Sequence, residues 1–176
     1  MNTETSHLSF RPVELSDALS IFSYRSDKHT NQYQGWIPQH SAELDDFINH
    51  KISKEFNQIG SWHQLAIVLK KTDKVIGDIG LHFLENNEVE IGITIAREHQ
   101  GKGYATEGLT KIITHLFKDW NKLKIKGSVD PRNKASIALL LKLGFQKEHF
   151  QSKAFQVRGQ WVDDLHMVLT KKNWNH

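Results

Sequence analysis

Cysteine is absent from the 176 residues of this sequence. Its absence excludes disulfides, thiolate zinc sites and a covalent acyl-cysteine intermediate. The 11 histidines are dispersed, without HExxH or a comparable ligand spacing. The sequence therefore predicts no metal site.

Long apolar runs are absent as well. No stretch approaches the roughly 18 apolar residues of a membrane helix. The polar N-terminus, Met1 to His7, lacks the apolar core of a signal peptide. These features indicate a cytoplasmic protein without a membrane partner. The length suits one compact domain, which we assign to residues 8–172.

Basic charge is only mildly in excess, with a net charge of +3 and a pI of about 9.0. The densest basic segments, Lys122 to Lys126 and Arg132 to Lys134, are short and interrupted. A nucleic-acid-binding protein usually has a more continuous basic stripe with stacking aromatics. We therefore expect no nucleic-acid partner. The two segments are interpreted as solvated surface or as contacts to a small polyphosphate ligand.

Apolar periodicity predicts an α+β chain in which helices and strands follow one another without internal repeats. The second predicted helix opens at Ser41 and keeps apolar residues at helical spacing as far as Phe56. The first predicted helix includes Leu19 among its apolar positions. That first helix starts near Ser16, and two further helices start near Ala105 and Asn133. Predicted strands run from Leu8 to Arg11, Trp62 to Leu69, Lys74 to Leu84, Glu88 to Ala96, Ile125 to Val129, Gln146 to Val157 and Trp161 to Leu169.

A glycine-containing turn, Gln100-Gly-Lys-Gly-Tyr-Ala105, lies between a predicted strand and a strongly amphipathic helix. Free N–H groups and the positive end of the dipole make a helix N-terminus favourable for anions. Gly101 and Gly103 allow the backbone to approach an anion closely, and Lys102 adds a positive charge. The turn matches neither the Walker nor the dinucleotide spacing. By itself it leaves a structural turn or a nucleotide-phosphate site open.

The turn resembles the pyrophosphate loop of the GNAT acetyltransferases, Gln/Arg-x-x-Gly-x-Gly/Ala, through Gln100, Gly103 and Ala105. The resemblance covers nearly the whole chain. It is closest to the branch containing ribosomal-protein N-terminal acetyltransferases and spermidine-type acetyltransferases. The other matching segments are Leu8 to Pro12, Glu90 to Ile93, Gly101 to Glu107, Asn133 to Ser136, Leu143 to Phe145 and Arg158 to Asp163.

This resemblance implies a mixed, mostly antiparallel twisted sheet with helices on both faces. The strand Glu90 to Ile95 and the strand from Ile125 should splay apart around the pantetheine arm of acetyl-CoA. Backbone groups of Ile93 and Ile95 would pair with that arm, and Asn133 would contact the cofactor. The pyrophosphate would lie against Gln100, Gly101, Lys102, Gly103, Tyr104, Ala105 and Thr106.

Acetyl transfer to an amine needs a neutral amine, a stabilised oxyanion and a proton for the thiolate. Glu90, on the strand face opposite the isoleucines, is the candidate base, or else an ordinary exposed strand residue. His82 on the neighbouring strand is a second candidate base, or a hydrogen-bonded strand residue. Ser136 is the candidate proton donor, and a helix-capping role is equally open for it.

Loop aromatics Tyr33 and Trp36, together with Trp161, are candidates for the acceptor site, although core anchoring is as common for such residues. The expected function is direct transfer from acetyl-CoA to a primary amine in a ternary complex. A protein or peptide α-amine is favoured because its reference pKa, about 7.7–8.0, lies below the 10.4 or so of lysine. A polyamine or antibiotic acceptor, a non-catalytic CoA-binding module and a homodimer stay open.

Overall fold

The computed structural model describes residues 1–174 and contains an eight-stranded sheet in the order β1-β2-β3-β4-β5-β6-β8-β7. Neighbouring strands are antiparallel except β5 and β6, which are parallel. The predicted mixed, mostly antiparallel sheet is thus confirmed. The strands are β1 (Thr3–Glu4), β2 (Leu8–Pro12), β3 (Trp62–Leu69), β4 (Lys74–Phe83), β5 (Glu88–Ile95), β6 (Lys124–Val129), β7 (Gln146–Val157) and β8 (Gln160–Thr170).

Helices cover both faces of this sheet, as predicted. They are α1 (Ala18–Arg25), α2 (Ala42–Asp46), α3 (Tyr104–Lys118) and α4 (Lys134–Lys142). The larger core lies on the face that carries α3 and α4, whereas α1 and α2 pack around Ala66 and Val68 on the other face. No helix within residues 1–174 combines the length and apolarity needed to cross a membrane.

The helix α3 is anchored to the centre of the sheet by one apolar stripe. Its buried side chains follow the spacing i, i+3, i+4, i+7, i+8, which places them on a single helix face. Truncating one such side chain to alanine typically costs about 2–5 kcal/mol. This stripe therefore fixes where the N-terminus of α3 lies. The stripe consists of Leu109, Ile112, Ile113, Leu116 and Phe117, each at most 1% exposed.

Two details of the first helices differ from the sequence-based expectation. Leu19 is 73% exposed, because helical rotation brings Ala18 and Ile21 to the sheet and turns Leu19 away from it. The second helix is also shorter than predicted: α2 passes into a π-helical turn that ends at Lys51. Ile52 is extended, and the next backbone N–H donates to Trp62 O at 2.7 Å. This hydrogen bond to the sheet, which periodicity does not encode, ends the helix.

The parallel pairing of β5 and β6 is short. It covers three residue pairs, from Glu88 opposite Lys124 to Glu90 opposite Lys126. Beyond them β5 continues alongside β4 and β6 continues alongside β8. The two strands therefore separate and leave a gap in the middle of the sheet, as the family resemblance implied.

Candidate active site

The gap between β5 and β6 lies between two large cavities. The first, here called the turn cavity, has a volume of about 620 Å³ and is lined by Ile95, Gln100 and Gly103 among others. The second, here called the hairpin cavity, also measures about 620 Å³ and lies beside the β7–β8 hairpin. A narrow space of about 90 Å³ lies between them, and Tyr33 and Ile93 line all three. The three spaces form one cleft.

The glycine turn forms one wall of the turn cavity. Gly101 and Gly103 have φ values of +72° and +86°, which L-residues with side chains rarely adopt, and Gly103 is the N-cap of α3. A Cβ on either glycine would meet no atom within 4 Å, so it would point into open space. The first N–H groups of α3 therefore border a cavity in which no side chain of the turn takes up the space for an anion. Also lining this wall are Tyr104, Ala105 and Thr106, while Lys102 is exposed and does not line it.

Gln100 connects this turn to the end of β5. Its Nε2 donates to the backbone carbonyl of Ile95 at 2.9 Å. The hydrogen bond gives a structural reason for a glutamine at the start of the loop. It also occupies the Ile95 carbonyl, one of the two positions predicted to pair with a ligand.

Backbone alternation identifies the other groups of β5 that face the gap. Asn87 O accepts from Leu123 N on the β6 side, whereas Ala96 N donates to Ile76 O on the β4 side. Successive residues of a strand direct their polar backbone groups to opposite sides. The backbone groups of Ile91 and Ile93 therefore face the gap. Ile93, whose pairing with the pantetheine arm stays a prediction, is therefore positioned at the gap, and Ile91 could have been found from the same alternation.

At the start of α4 the structure shows which residue is the helix cap, a role that the sequence left open for Ser136. Asn133 Oδ1 accepts from Ser136 N at 3.1 Å, so Asn133 caps α4. The Ser136 hydroxyl is therefore not the cap. Both residues line the turn cavity and the narrow space next to the gap.

Glu90 lies at the last β5–β6 pair and lines the hairpin cavity. It belongs to a row across the sheet in which Trp62 is opposite His82 and His82 is opposite Glu90. His82 Nδ1 is 3.7 Å from Glu90 Oε2, and the His82 ring stacks on Trp62 with centroids 4.6 Å apart. Glu90 is thus a half-buried residue with an orienting neighbour. His82 contacts Glu90 and is not among the residues lining the cavity.

Part of the hairpin cavity wall is fixed by a buried carboxylate that sequence reasoning missed. Asp78 is 1% exposed and accepts hydrogen bonds from Tyr24 Oη at 2.7 Å, from the Arg25 guanidinium and from Gln64 Nε2. Burial and the Asp78 charge raise the pKa of Tyr24 well above its usual value, so Tyr24 stays a neutral donor. Arg25 and Gln64 line the cavity. Their separation of 53 and 14 residues from Asp78 hides this cluster in the sequence.

A second buried carboxylate supports the β6 side of the cleft. Ser128 Oγ donates to Asp164, with both carboxylate oxygens at 2.8 Å, and His166 Nε2 lies 3.2 Å from Asp164 Oδ2. In a nucleophilic triad the imidazole, not the carboxylate, contacts the hydroxyl. Ser128 is therefore held in place and is not activated as a nucleophile.

Only some of the aromatic residues predicted for the acceptor site line the cleft. Tyr33 lines the whole cleft, and the Arg132 guanidinium lies 5.8 Å from its ring. Trp36 lines the hairpin cavity and packs against Phe47 at 5.1 Å. Trp161 is 57% exposed and lies outside the cavity lining. Tyr33 and Trp36 are thus brought to the cleft, and Trp161 is not.

Comparison with known proteins agrees with this architecture. The chain is 32% identical to the uncharacterized N-acetyltransferase p20 of Bacillus licheniformis, over 97% of this chain and 96% of that protein. The ribosomal protein uS5-alanine N-acetyltransferase of Escherichia coli is 34% identical over 48% of this chain and 43% of its own length. A spermidine N-acetyltransferase from Vibrio cholerae, solved with CoA and spermine, superimposes with a TM-score of 0.82 at 23% identity, over 96% of this chain and 98% of that one.

The family model of the GNAT acetyltransferase domain matches residues 7–146. This range contains β5, the glycine turn, β6 and α4, and so it includes the gap and the turn cavity. The chain belongs to the GNAT family and is an acetyl-CoA-dependent N-acetyltransferase.

Proposed function

We propose that this enzyme acetylates the α-amine at the N-terminus of a protein or peptide, with acetyl-CoA in the turn cavity and the acceptor in the hairpin cavity. The observation that carries the proposal is the gap between β5 and β6, since both cavities meet there. A donor and an acceptor that enter from opposite ends would come together beside Ile93. Such an arrangement supports direct transfer, which needs the two reactants held next to each other.

The CoA site in this proposal rests on backbone groups. The turn residues that line the turn cavity, Tyr104 among them, would border the pyrophosphate at the N-terminus of α3, and the gap-facing backbone of Ile93 would pair with the pantetheine arm. The exposed Lys102 would add only its positive charge from outside the cavity lining. Asn133 would contact the cofactor from the start of α4. Ile95 would contribute its N–H, since its carbonyl already accepts one hydrogen bond from Gln100.

Glu90 is the proposed base for the acceptor amine. It lines the hairpin cavity at the edge of the gap, with His82 Nδ1 at 3.7 Å from its carboxylate. A carboxylate in this position can take the ammonium proton directly or through a water molecule. His82 then acts on the carboxylate and not on the amine.

Ser136 is the proposed donor of a proton to the CoA thiolate. Its backbone N–H donates to the cap residue Asn133, and Ser136 lines the narrow space beside the gap. A hydroxyl placed there can donate to the leaving sulfur, which lowers the cost of expelling the thiolate.

The α-amine is favoured over a lysine side chain by acid–base equilibria. Their reference pKa values differ by about 2.5 units, which corresponds to roughly 3.4 kcal/mol for reaching the neutral amine at neutral pH. A single carboxylate such as Glu90 is then sufficient as the base. The uS5-alanine N-acetyltransferase of Escherichia coli supports this acceptor class, and the spermidine N-acetyltransferase of Vibrio cholerae supports a polyamine as the alternative.

Replacing Gly103 with valine should weaken CoA binding. The branched side chain would project into the turn cavity, so the dissociation constant measured by calorimetry should rise at least tenfold, about 1.4 kcal/mol. Gly60→Val is the matched control, because Gly60 also has a positive φ, +78°, with open space around its Cβ, but lies outside the cleft. Both variants should lose similar stability from backbone strain. Equal CoA affinity in the two variants would show that the pyrophosphate does not bind at this turn.

Replacing Glu90 with glutamine should lower kcat at neutral pH by about 10²–10⁴-fold. The rate should recover partly as the pH rises, because a larger fraction of the amine is then already neutral. Steady-state pH–rate profiles measure this. Glu88→Gln serves as the control: Glu88 pairs with Lys124 and Lys126 on the same strand face and does not line the cleft. A Glu90→Gln profile parallel to that of the parent enzyme would leave Glu90 with a structural role alone.

Alanine substitutions of Ser136 and Asn133 should differ in their effects on stability and on activity. Asn133→Ala removes the cap of α4 and should cost about 1 kcal/mol of unfolding free energy. Ser136→Ala keeps that hydrogen bond, which uses the backbone N–H, and should retain stability and CoA affinity while kcat falls. Urea unfolding and single-turnover kinetics provide the two readouts. If Ser136→Ala loses stability and keeps its kcat, the hydroxyl is not the proton donor.

The acceptor class should be visible in a competition assay with acetyl-CoA. The substrates are a short peptide with a free N-terminus, its N-blocked counterpart containing lysine, and spermidine. We expect product on the free N-terminus, because its amine is neutral in a much larger fraction at neutral pH. Mass spectrometry of the mixture identifies the acetylated species. Dominant acetylation of spermidine or of the blocked peptide would contradict the α-amine proposal and leave the acetyltransferase activity intact.

A further inference from the structure

The hairpin cavity has a positive balance of charge. Its lining contains four cationic and two anionic side chains. A cavity that accepts an amine would be expected to attract positive charge, so the excess of cations calls for an explanation. The charged lining residues are Arg25, Lys51, Arg132, Arg158, Glu90 and Asp130.

Two of the four cations are already neutralised. The Arg25 guanidinium is paired with the buried Asp78, and Arg132 Nη2 lies 2.6 Å from Asp130 Oδ2. The hydrogen bonds from Arg132 lower the pKa of Asp130 below its usual value, so this ion pair persists at neutral pH. Neither pair leaves net charge for a ligand.

Arg158 and Lys51 are the cations that remain. Within residues 1–174 neither has a carboxylate within ion-pair distance. Arg158 occupies the tip of the β7–β8 hairpin with φ +51°, and its Nη2 lies 3.4 Å from the carbonyl oxygen of Asn31. This contact holds the guanidinium between the hairpin and the loop after α1. Lys51 ends the π-helical turn that follows α2.

We infer that the acceptor carries a carboxylate close to its reactive amine, and that Arg158 and Lys51 bind this carboxylate while Glu90 faces the amine. The inference rests on the proposed function and names the acceptor more closely. Arginine suits the role because its planar fork matches a carboxylate in two hydrogen bonds. The carboxylate is an acidic side chain next to the N-terminal amine of a peptide or protein.

A polyamine fits this cavity poorly. With one amine at Glu90, its second ammonium would face Arg158 and Lys51, and like charges in a partly desolvated space repel. A bifunctional acceptor with opposite charges instead meets a complementary group at each position. The cavity therefore distinguishes acceptors by the sign of their second charge.

The test compares kcat/KM for acid and amide pairs of otherwise identical acceptors. The pairs are the peptide amides Ala-Asp-Ala with Ala-Asn-Ala, and Ala-Glu-Ala with Ala-Gln-Ala; spermidine is the cationic reference. We expect the parent enzyme to prefer the carboxylate member of at least one pair by about tenfold or more. A preference in the first pair alone indicates that a short acidic side chain reaches the two cations, and a preference in the second pair indicates a longer one.

The variants Arg158→Gln and Arg158→Glu test whether Arg158 causes the preference for a carboxylate. Arg158→Gln should reduce it to near unity through KM, and Arg158→Glu should reverse it and improve the use of spermidine. Lys147→Gln, which removes an exposed cation on β7 outside the cleft, should keep the parental ratio. Equal kcat/KM for acid and amide in the parent enzyme, or an unchanged ratio in Arg158→Gln, would overturn the inference. In both cases acetylation of α-amines would still be measured, so the proposed function would survive.

Discussion

The three residue pairs between β5 and β6 are the constraint on which the site depends. Unpaired backbone groups in a buried position are costly, so strands rarely separate inside a sheet without another partner. Here each strand keeps its outer neighbour, β4 or β8, and gives up the inner one. The groups released around Ile91 and Ile93 face a cleft, where a ligand can satisfy them. The interrupted ladder thereby provides a place in which a ligand could bind.

Two buried carboxylates keep the walls of this cleft in place. Asp78 and Asp164 are 1% and 4% exposed, and each accepts hydrogen bonds from a residue that lines the cleft. Removing one partner from such a buried group typically costs about 3–5 kcal/mol, because a desolvated charge is left uncompensated. The polar walls are therefore rigid, although the sheet is open between them. Rigid walls favour catalysis by positioning, which supplies much of the rate of a direct transfer.

The two ends of the cleft differ in the chemistry they offer. The turn cavity presents backbone N–H groups at the start of α3. These groups suit an anion and do not depend on which side chains the turn carries. The hairpin cavity presents side chains of both signs on elements from distant parts of the chain, with Glu90 and Arg158 among them. With the proposed assignment of the two cavities, acceptor selectivity would depend on side chains that are separate from the backbone groups that bind the cofactor.

The sequence by itself determined the order and type of most elements, the glycine turn at the start of α3, and the candidate positions of Glu90 and Ser136. The elements and the glycine turn follow from local rules: apolar periodicity, helix-terminus chemistry and the alternation of strand residues. The candidates Glu90 and Ser136 also needed the resemblance to the family. The separation of β5 from β6 was anticipated only through the family resemblance, and the tertiary structure decided that Asn133 and not Ser136 caps α4 and where α2 ends. It also decided the contacts of Asp78 and Arg158. These outcomes depend on groups that are far apart along the chain, and no local pattern specifies which of them meet once the sheet has formed.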